Sequence, residues 1–182
     1  NPHHMTMPGR FVLQKYLREM ADAGCQFAIV ETTSEGIKQW RHSGIEYDVA
    51  VFTNLYPEHL TSPGGRFDEY RKAKGKLFSS LKPAGVKNKV IGGEFIPKII
   101  ITNTDSEFGG YFSSFPADKK ITYGIASPAE FRATEIDNSN QGGGPASTQG
   151  GSVFSVNGEQ YELSIPGEFN IENALPAIAI CK

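Results

Sequence analysis

The 182-residue sequence lacks the features that mark several classes of protein. Its 18 Lys and Arg residues oppose 20 Asp and Glu residues, so it has no basic excess with which to bind nucleic acid. No apolar run is long enough to cross a bilayer, and no signal-peptide pattern opens the chain. These absences predict a cytoplasmic protein with no nucleic-acid or membrane partner.

Cysteine and nucleotide-binding motifs are also scarce. The 2 cysteines, Cys25 and Cys181, cannot build a zinc site alone, and each adjoins an apolar run, which predicts buried thiols in a reducing compartment. The Gly-rich stretch 135–151 contains no G-x-x-x-x-G-K-[ST], so it is predicted to be a flexible connection rather than a phosphate-binding loop. No G-x-G-x-x-G follows an apolar run, which argues against a plain dinucleotide-binding domain.

Short apolar runs and helical patterns alternate along the chain. Buried strands are predicted at 27–30, 47–53 and 98–102, and a further strand at 121–125. Helices are predicted at 10–23, from 36, at 66–81 and at 107–115. An Asn157-Gly158 turn predicts a β-hairpin over 153–165. The expected fold is α/β, a mostly parallel sheet flanked by helices, with a small antiparallel hairpin near the C-terminus.

Lys74 lies on the apolar stripe of the helix predicted at 66–81, four residues after Tyr70 and three before Leu77. Desolvation disfavours the ammonium form and lowers the pKa of such a lysine, and a neutral amine reacts with carbon dioxide to give a carbamate anion. The alternative is a lysine whose stem is packed while its ammonium reaches solvent, and the pattern alone favours that alternative.

Glu31 follows the apolar run 27–30, at the end of a strand where ligands bind in an open parallel sheet. A carboxylate there is suited to Mg²⁺, which takes oxygen ligands. Alternatively, Thr33, Ser34 and Glu35 only cap the next helix. The spacing does not decide between the two.

Three stretches resemble the central domain of the Mur ligases, most closely the MurE type. They are T-N-L with an acidic residue before His-Leu and Y-x-x-A-K-x-x-L-F within 53–78, E-T-T-S-E-G-I-K-Q-W-R at 31–41, and G-E-F-N-I-E-N-A-L at 167–175. The resemblance runs from about Thr6 to the last residue. The sequence departs from the family pattern at Glu35, where the family has His, and at Glu58, where it usually has Asp.

The resemblance implies a role for each matching residue. Magnesium would be placed by Glu31, His59 and carbamylated Lys74, the nucleotide-sugar substrate held by Thr6, Ser34, Gln39 and Arg41, and adenine held by Asn170 and Asn173. Asn170 alternatively caps the helix that begins there. Asn103 and Asp105 resemble the N-x-D-D turn of the family, and an Asx turn with a helix cap explains them equally well.

The activity implied is ATP-dependent amide-bond formation, in which an amino acid is added to a UDP-N-acetylmuramoyl-peptide in peptidoglycan synthesis through an acyl phosphate, with ATP and Mg²⁺. Residues 1–182 would form a single partial central domain of a monomeric enzyme, with the P-loop segment before it and the amino-acid-selecting domain after it. The chain alone is then expected not to turn over ATP. Two alternatives remain open: a ligase of the folylpolyglutamate-synthase type, and a non-catalytic binding domain derived from the fold.

Overall fold

The structure, a computed structural model, describes residues 7–56, 66–81, 90–91, 94–138 and 151–182. Its helices are α1 (Arg10–Asp22), α2 (Ser34–Lys38), α3 (Arg66–Ser80), α4 (Gly109–Ser113) and α5 (Glu168–Cys181). Its strands are β1 (Val49–Phe52), β2 (Val90–Ile91), β3 (Glu94–Phe95), β4 (Ile99–Asn103), β5 (Lys119–Gly124), β6 (Phe131–Asp137), β7 (Ser152–Val156) and β8 (Glu159–Leu163).

The main sheet has six strands in the order β1-β4-β5-β6-β7-β8. The pairs β1–β4, β4–β5 and β5–β6 are parallel, whereas β6–β7 and β7–β8 are antiparallel. Strands β2 and β3 form a separate antiparallel pair. The predicted α/β fold with a mostly parallel sheet is confirmed, and β6 is a strand that the sequence patterns do not predict.

Helices cover both faces of the parallel part of the sheet. Ile101 on β4 faces the core cluster that contains Ile171 and Leu175 of α5. Its neighbour Ile100 faces the opposite cluster, which contains Phe78 of α3 and Phe112 of α4. Because successive side chains of a strand point to opposite faces, the continuous apolar run of β4 is buried on both sides, as the sequence predicts for a parallel strand.

The predicted hairpin is confirmed at β7 and β8. Asn157 has φ 51° and Gly158 has φ 82°, so both central residues of the turn lie in the left-handed region. Two such residues in a two-residue connection give a turn whose twist matches the flanking strands.

The strand predicted at 27–30 is wrong. Phe27 is 80% exposed and Ile29 is 98% exposed, and none of the described strands pairs with this segment. An apolar run becomes a buried strand only when a neighbour supplies hydrogen bonds and a covered face, and the described part of the chain supplies neither here.

Helix α1 is confirmed, but its packing is sparser than predicted. Gly24 stops the chain after α1 with φ 79°, as expected of a C-terminal glycine. The helical spacing places Val12, Leu13, Tyr16, Leu17 and Met20 on one side of α1. Of these, Leu13 is buried whereas Val12 and Tyr16 are exposed. Cysteine burial is also wrongly predicted, because Cys25 just after α1 and Cys181 in the last turn of α5 are both exposed.

Helix α3 is confirmed, with one correction to its stripe. The pattern places Arg71 away from the apolar side, but the structure has it half-buried, with its guanidinium 4.8 Å from the centroid of the Tyr111 ring. Arg71 follows Phe67 by four residues and precedes Phe78 by seven, so it belongs to the packed side of the helix.

An ion pair ties together the start of the parallel strands. Lys98 Nζ lies 2.8 Å from Asp48 Oδ1 and donates to the Tyr47 carbonyl oxygen at 2.8 Å. The Lys98 backbone N–H donates to Asp118 Oδ2 at 2.7 Å. These contacts join the residues that precede β1, β4 and β5. Within the described ranges, no helix is both long and apolar enough to cross a membrane.

Candidate functional site

Lys74 sits in a partly desolvated position on α3. Its side chain is half-buried, and its Nζ lies 5.4 Å from the centroid of the Tyr70 ring. Burial lowers the pKa of Lys74, and the negative charge of Glu31 opposes this shift by favouring the ammonium. The desolvation expected from the helical spacing is therefore present. The carboxylate of Glu31 interacts electrostatically with the Lys74 ammonium.

Glu31 itself is exposed and stands in an irregular segment rather than at the end of a strand. The segment is fixed just beyond it, because Thr33 is the N-cap of α2 and its Oγ1 accepts a hydrogen bond from the Gly36 N–H at 3.0 Å. The capping interpretation is thus confirmed for Thr33. Capping by Thr33 leaves the carboxylate of Glu31 outside the helix and within electrostatic reach of Lys74.

Ser34 belongs to the same contact between α2 and α3. It is the first residue of α2, and its side chain, close to the Tyr70 hydroxyl, lowers the pKa of Tyr70 against a larger increase caused by burial. Tyr70 therefore borders both Ser34 and Lys74. The helical pattern indicates Tyr70 only as a packing residue. Its spacing of four residues from Lys74 was the signal for the contact between Tyr70 and Lys74.

Gln39 and Arg41 are brought together beyond the end of α2. Gln39 Oε1 accepts from Arg41 Nε at 3.0 Å and from Arg41 Nη2 at 2.5 Å, while Gln39 Nε2 donates to Glu35 Oε1 at 2.6 Å. Arg41 Nη1 also donates to the backbone carbonyl of Met7 at 2.5 Å. The guanidinium is thus held in place close to the residue that follows Thr6 in the sequence.

A second polar group lies where β1 and β4 end. The Asn103 side chain is fully buried, with 0% exposure, and its Oδ1 accepts from the Asp105 N–H at 2.9 Å. Its Nδ2 donates to the Thr53 carbonyl at 3.0 Å and to Glu172 Oε1 on α5. Every hydrogen-bonding atom of this amide has a partner, as burial demands.

Asp105 follows β4, and its side chain binds the backbone of the turn that follows β5. Its carboxylate accepts from the backbone N–H groups of Ile125 at 2.5 Å, Ala126 at 3.2 Å and Ser127 at 2.6 Å. Burial alone raises the pKa of Asp105, but these N–H donors together outweigh burial, so its pKa falls below the ordinary value. The predicted Asx turn is confirmed, whereas the predicted helix cap is wrong, because α4 begins after Phe108 with no side-chain cap.

The start of α5 carries the two asparagines that the resemblance assigns to adenine. Asn170 is half-buried and its Nδ2 donates to the Pro166 carbonyl at 2.8 Å, whereas Asn173 is exposed. The capping alternative for Asn170 is wrong, because α5 begins at Glu168, with Gly167 as N-cap and no side-chain cap. Glu172, between the two asparagines, reaches Asn103.

The structure therefore arranges the predicted site residues in two groups. Glu31, Ser34 and Lys74 lie at the contact of α2 with α3, with Gln39 and Arg41 just beyond α2, while Asn170 and Asn173 lie on α5. Thr6, Glu58 and His59 lie outside the described residues. In the part of the chain that is described, no group of three His, Cys, Asp or Glu side chains is close enough together to hold a metal ion.

The contact between Asn103 and Glu172 at the end of β4 was missed by reasoning from the sequence. The polar Asn103 at the end of the apolar run 99–102 was the available signal for a structured edge. No sequence signal indicates the contact of Asn103 with Glu172, which lies 69 residues further along the chain.

Comparison with known proteins connects this arrangement to one family. The family model for the Mur ligase middle domain matches residues 1–181. The ligase named UDP-N-acetylmuramoyl-L-alanyl-D-glutamate--2,6-diaminopimelate ligase in Geobacillus thermodenitrificans is 34% identical over 180 residues, covering 97% of this chain and 33% of that protein. The protein of the same name in Bacillus velezensis is 35% identical over 181 residues, covering 98% of this chain and 34% of its own length.

Solved structures agree with the sequence relatives. A structure of a ligase with the same name superposes with a TM-score of 0.69 at 25% identity, covering 98% of this chain and 34% of the other. A MurF structure from Acinetobacter baumannii, at 20% identity and a TM-score of 0.57 over 80% of this chain, shares the fold. The chain spans about a third of the length of the curated relatives it matches. With its middle-domain match extending over residues 1–181, the chain belongs to the Mur ligase family.

Proposed function

We propose that this chain is the central domain of an ATP-dependent amide ligase that adds an amino acid to a UDP-N-acetylmuramoyl-peptide, through an acyl phosphate. The match of residues 1–181 to the family carries the proposal. The names of the relatives make 2,6-diaminopimelate the first amino acid to test. The P-loop segment and the amino-acid-selecting domain would be supplied by other parts of the full-length protein.

Lys74 supports the proposal through its chemistry. Because burial lowers its pKa, a larger share of the amine is neutral near neutral pH than for an exposed lysine. The neutral nitrogen attacks the carbon of CO₂, a C–N bond forms, one C–O π pair moves onto oxygen, and a proton is released to water. The product is a carbamate anion, which converts a cationic side chain into an oxygen donor.

Glu31 and carbamylated Lys74 would then hold Mg²⁺ together with His59, since hard cations select oxygen donors. When bound, the ion neutralises charge on the ATP phosphates during phosphoryl transfer. Arg41, aligned by Gln39, would hold an anionic group of the acceptor in a fixed orientation. Ser34 would contact the acceptor from the start of α2, and Thr6 from the segment that precedes Met7.

Asn170 and Asn173 would contact adenine from the start of α5, because an amide can donate to and accept from the same base edge. These roles assign metal, acceptor and nucleotide to different parts of the chain. Glu31, His59 and Lys74 would bind the metal, and Asn170 and Asn173 would bind adenine. The acceptor would be bound by Thr6, Ser34, Gln39 and Arg41.

The test is the ligase assay on the full-length protein with ATP, Mg²⁺, a UDP-N-acetylmuramoyl-peptide and a panel of amino acids that includes 2,6-diaminopimelate. Lys74→Ala is expected to lower kcat at least about 100-fold, the scale of losing a group that stabilises transition-state charge. The matched control is Lys72→Ala, an exposed lysine on the same helix, which should stay within about twofold.

Full activity in Lys74→Ala would contradict the proposed role of Lys74. A full-length protein that forms no peptide product with any acceptor or amino acid would contradict the ligase function itself. The 182-residue chain alone is expected to show no ATP turnover. A measurable ligase rate from it would refute the proposal that other parts of the full-length protein supply the P-loop segment and the amino-acid-selecting domain.

A further inference from the structure

The contact between Asn103 and Glu172 joins three segments of the chain at one buried point. The Asn103 amide binds the Thr53 carbonyl at the exit of β1, the Asp105 N–H in the turn after β4, and Glu172 on α5. A buried amide whose donors and acceptor are all engaged has one favoured orientation. The segments that it joins therefore keep one relative placement.

Glu172 is the member of this contact that belongs to α5. It is half-buried and stands between Asn170 and Asn173 in the sequence, in the second turn of the helix. Its charge reaches Tyr123: burial raises the pKa of Tyr123, and the carboxylates of Glu172 and Asp105 raise it further. The Tyr123 hydroxyl in turn donates to the Phe52 carbonyl at 3.3 Å, one residue before Thr53. Glu172 is thus connected to the end of β1 by hydrogen bonds through Asn103, and its charge acts on Tyr123 beside that end.

We propose that Asn103 and Glu172 form a positioning pair that holds the start of α5 at the exits of β1 and β4 and thereby sets the affinity of the enzyme for its adenine nucleotide. The inference rests on the proposed function, because it takes Asn170 and Asn173 as the residues that contact adenine. Glu172 touches no nucleotide in this proposal and acts through the helix that carries its neighbours.

Removing the carboxylate has a definite physical consequence. One N–H of the buried Asn103 amide loses its acceptor, and α5 loses its side-chain hydrogen bond to the end of β4, while the Gly167 N–H still donates to Ser152 Oγ at 3.0 Å. The asparagines must then be ordered when the nucleotide binds, so part of the binding free energy is used for that ordering. Affinity for the nucleotide falls, whereas groups that bind elsewhere are unaffected.

The experiment measures ADP binding to the full-length protein by calorimetry in the presence of Mg²⁺. Glu172→Ala is expected to weaken ADP binding at least about tenfold, which corresponds to about 1.4 kcal/mol. Glu172→Gln keeps an oxygen acceptor at the same distance and is expected to stay within about threefold of the wild type. The matched control is Glu168→Ala, an exposed glutamate in the first turn of the same helix.

Steady-state kinetics separate positioning from general damage. In Glu172→Ala the KM for ATP should rise with the ADP dissociation constant, while the KM for the amino acid and kcat at saturating ATP stay within about threefold. If the alanine variant does not fold, Glu172→Asp replaces it, because its carboxylate is one methylene too short to keep the contact.

Unchanged ADP affinity in Glu172→Ala would overturn the proposal, and so would a glutamine variant as weak as the alanine variant. Absence of ADP binding by the wild type would overturn it as well. Glu172-dependent ADP binding in a protein that ligates nothing would instead contradict the proposed function and leave the positioning pair standing.

Discussion

Residues 7–46 and the sheet with its covering helices are built in different ways. The sheet buries its apolar residues on two faces, with Ile100 and Ile101 both at 0% exposure. In residues 7–46 the buried apolar side chains are Met7, Leu13 and Ile37, while Phe27 and Ile29 face solvent. The N-terminal part is therefore held by a few packed side chains and local hydrogen bonds, although it carries Glu31, Ser34, Gln39 and Arg41. These four candidate binding residues therefore lie on the weakly packed part, where α2 contacts α3, and α3 in turn packs against the sheet through Phe78.

The sharpest test of this difference compares two isoleucines. Ile101→Ala removes a fully buried side chain and is expected to lower the free energy of unfolding by about 3 kcal/mol. Ile29→Ala, at a 98% exposed position, is expected to change it by less than about 0.5 kcal/mol. Urea unfolding of both variants measures the two effects. A large loss in Ile29→Ala would show that another part of the full-length protein covers this residue.

A smaller effect is expected at the start of the parallel strands. Lys98→Met removes the ammonium from the half-buried Asp48 carboxylate and should cost about 1–2 kcal/mol of stability. The cost lies below that of a fully buried pair because the Asp48 side chain is 32% exposed. The control is Lys119→Met, an exposed lysine at the start of β5. Ligase kcat should be unchanged in both, and a lower kcat in Lys98→Met alone would assign this end of the sheet to the active site.

The smallest effect concerns how the stability of the folded chain depends on pH through His42, which lies in residues 7–46. His42 is buried, and burial lowers its pKa, with the Lys76 ammonium lowering it further. The unfolded chain then binds a proton at a higher pH than the folded chain, so stability is full above the ordinary pKa of about 6.5 and falls as pH drops through the window down to the lowered value. His42→Phe should show a shallower loss of stability over this window. An identical slope in both proteins would contradict the assignment.

The parts of the fold that the sequence predicts are those that local chemistry determines. Strand β4 is readable from its Ile-rich run, α3 from its helical spacing, and the hairpin from Asn157-Gly158, because each pattern needs no knowledge of distant residues. The run at 27–30 carries the same apolar signal as β4 and was wrongly predicted, because burial depends on a neighbouring strand that the run itself does not specify.

In the candidate site, too, the contacts within one helix were predictable, whereas the contacts between distant elements were not. The desolvation of Lys74 was predictable because residues three and four apart share a helix face. The contact of Ser34 with Tyr70 and that of Asn103 with Glu172 depend on how α2 and α5 pack, and sequence spacing carries no information about these distances. The assignment of Asn170 as a cap failed for a smaller reason, namely that α5 begins two residues earlier than predicted.

Gly109 limits how far the turn after β4 can vary. A Cβ placed on it would lie 2.2 Å from the Asn103 carbonyl oxygen, a backbone atom that cannot move aside without disturbing the strand. Substitution by any other amino acid would lift α4 from the end of β4 and disturb the residue on which the buried amide contact is centred. Mutational libraries of this protein should accordingly return glycine alone at position 109, while the neighbouring Gly110, where an added Cβ would meet no atom within 4 Å, accepts larger residues.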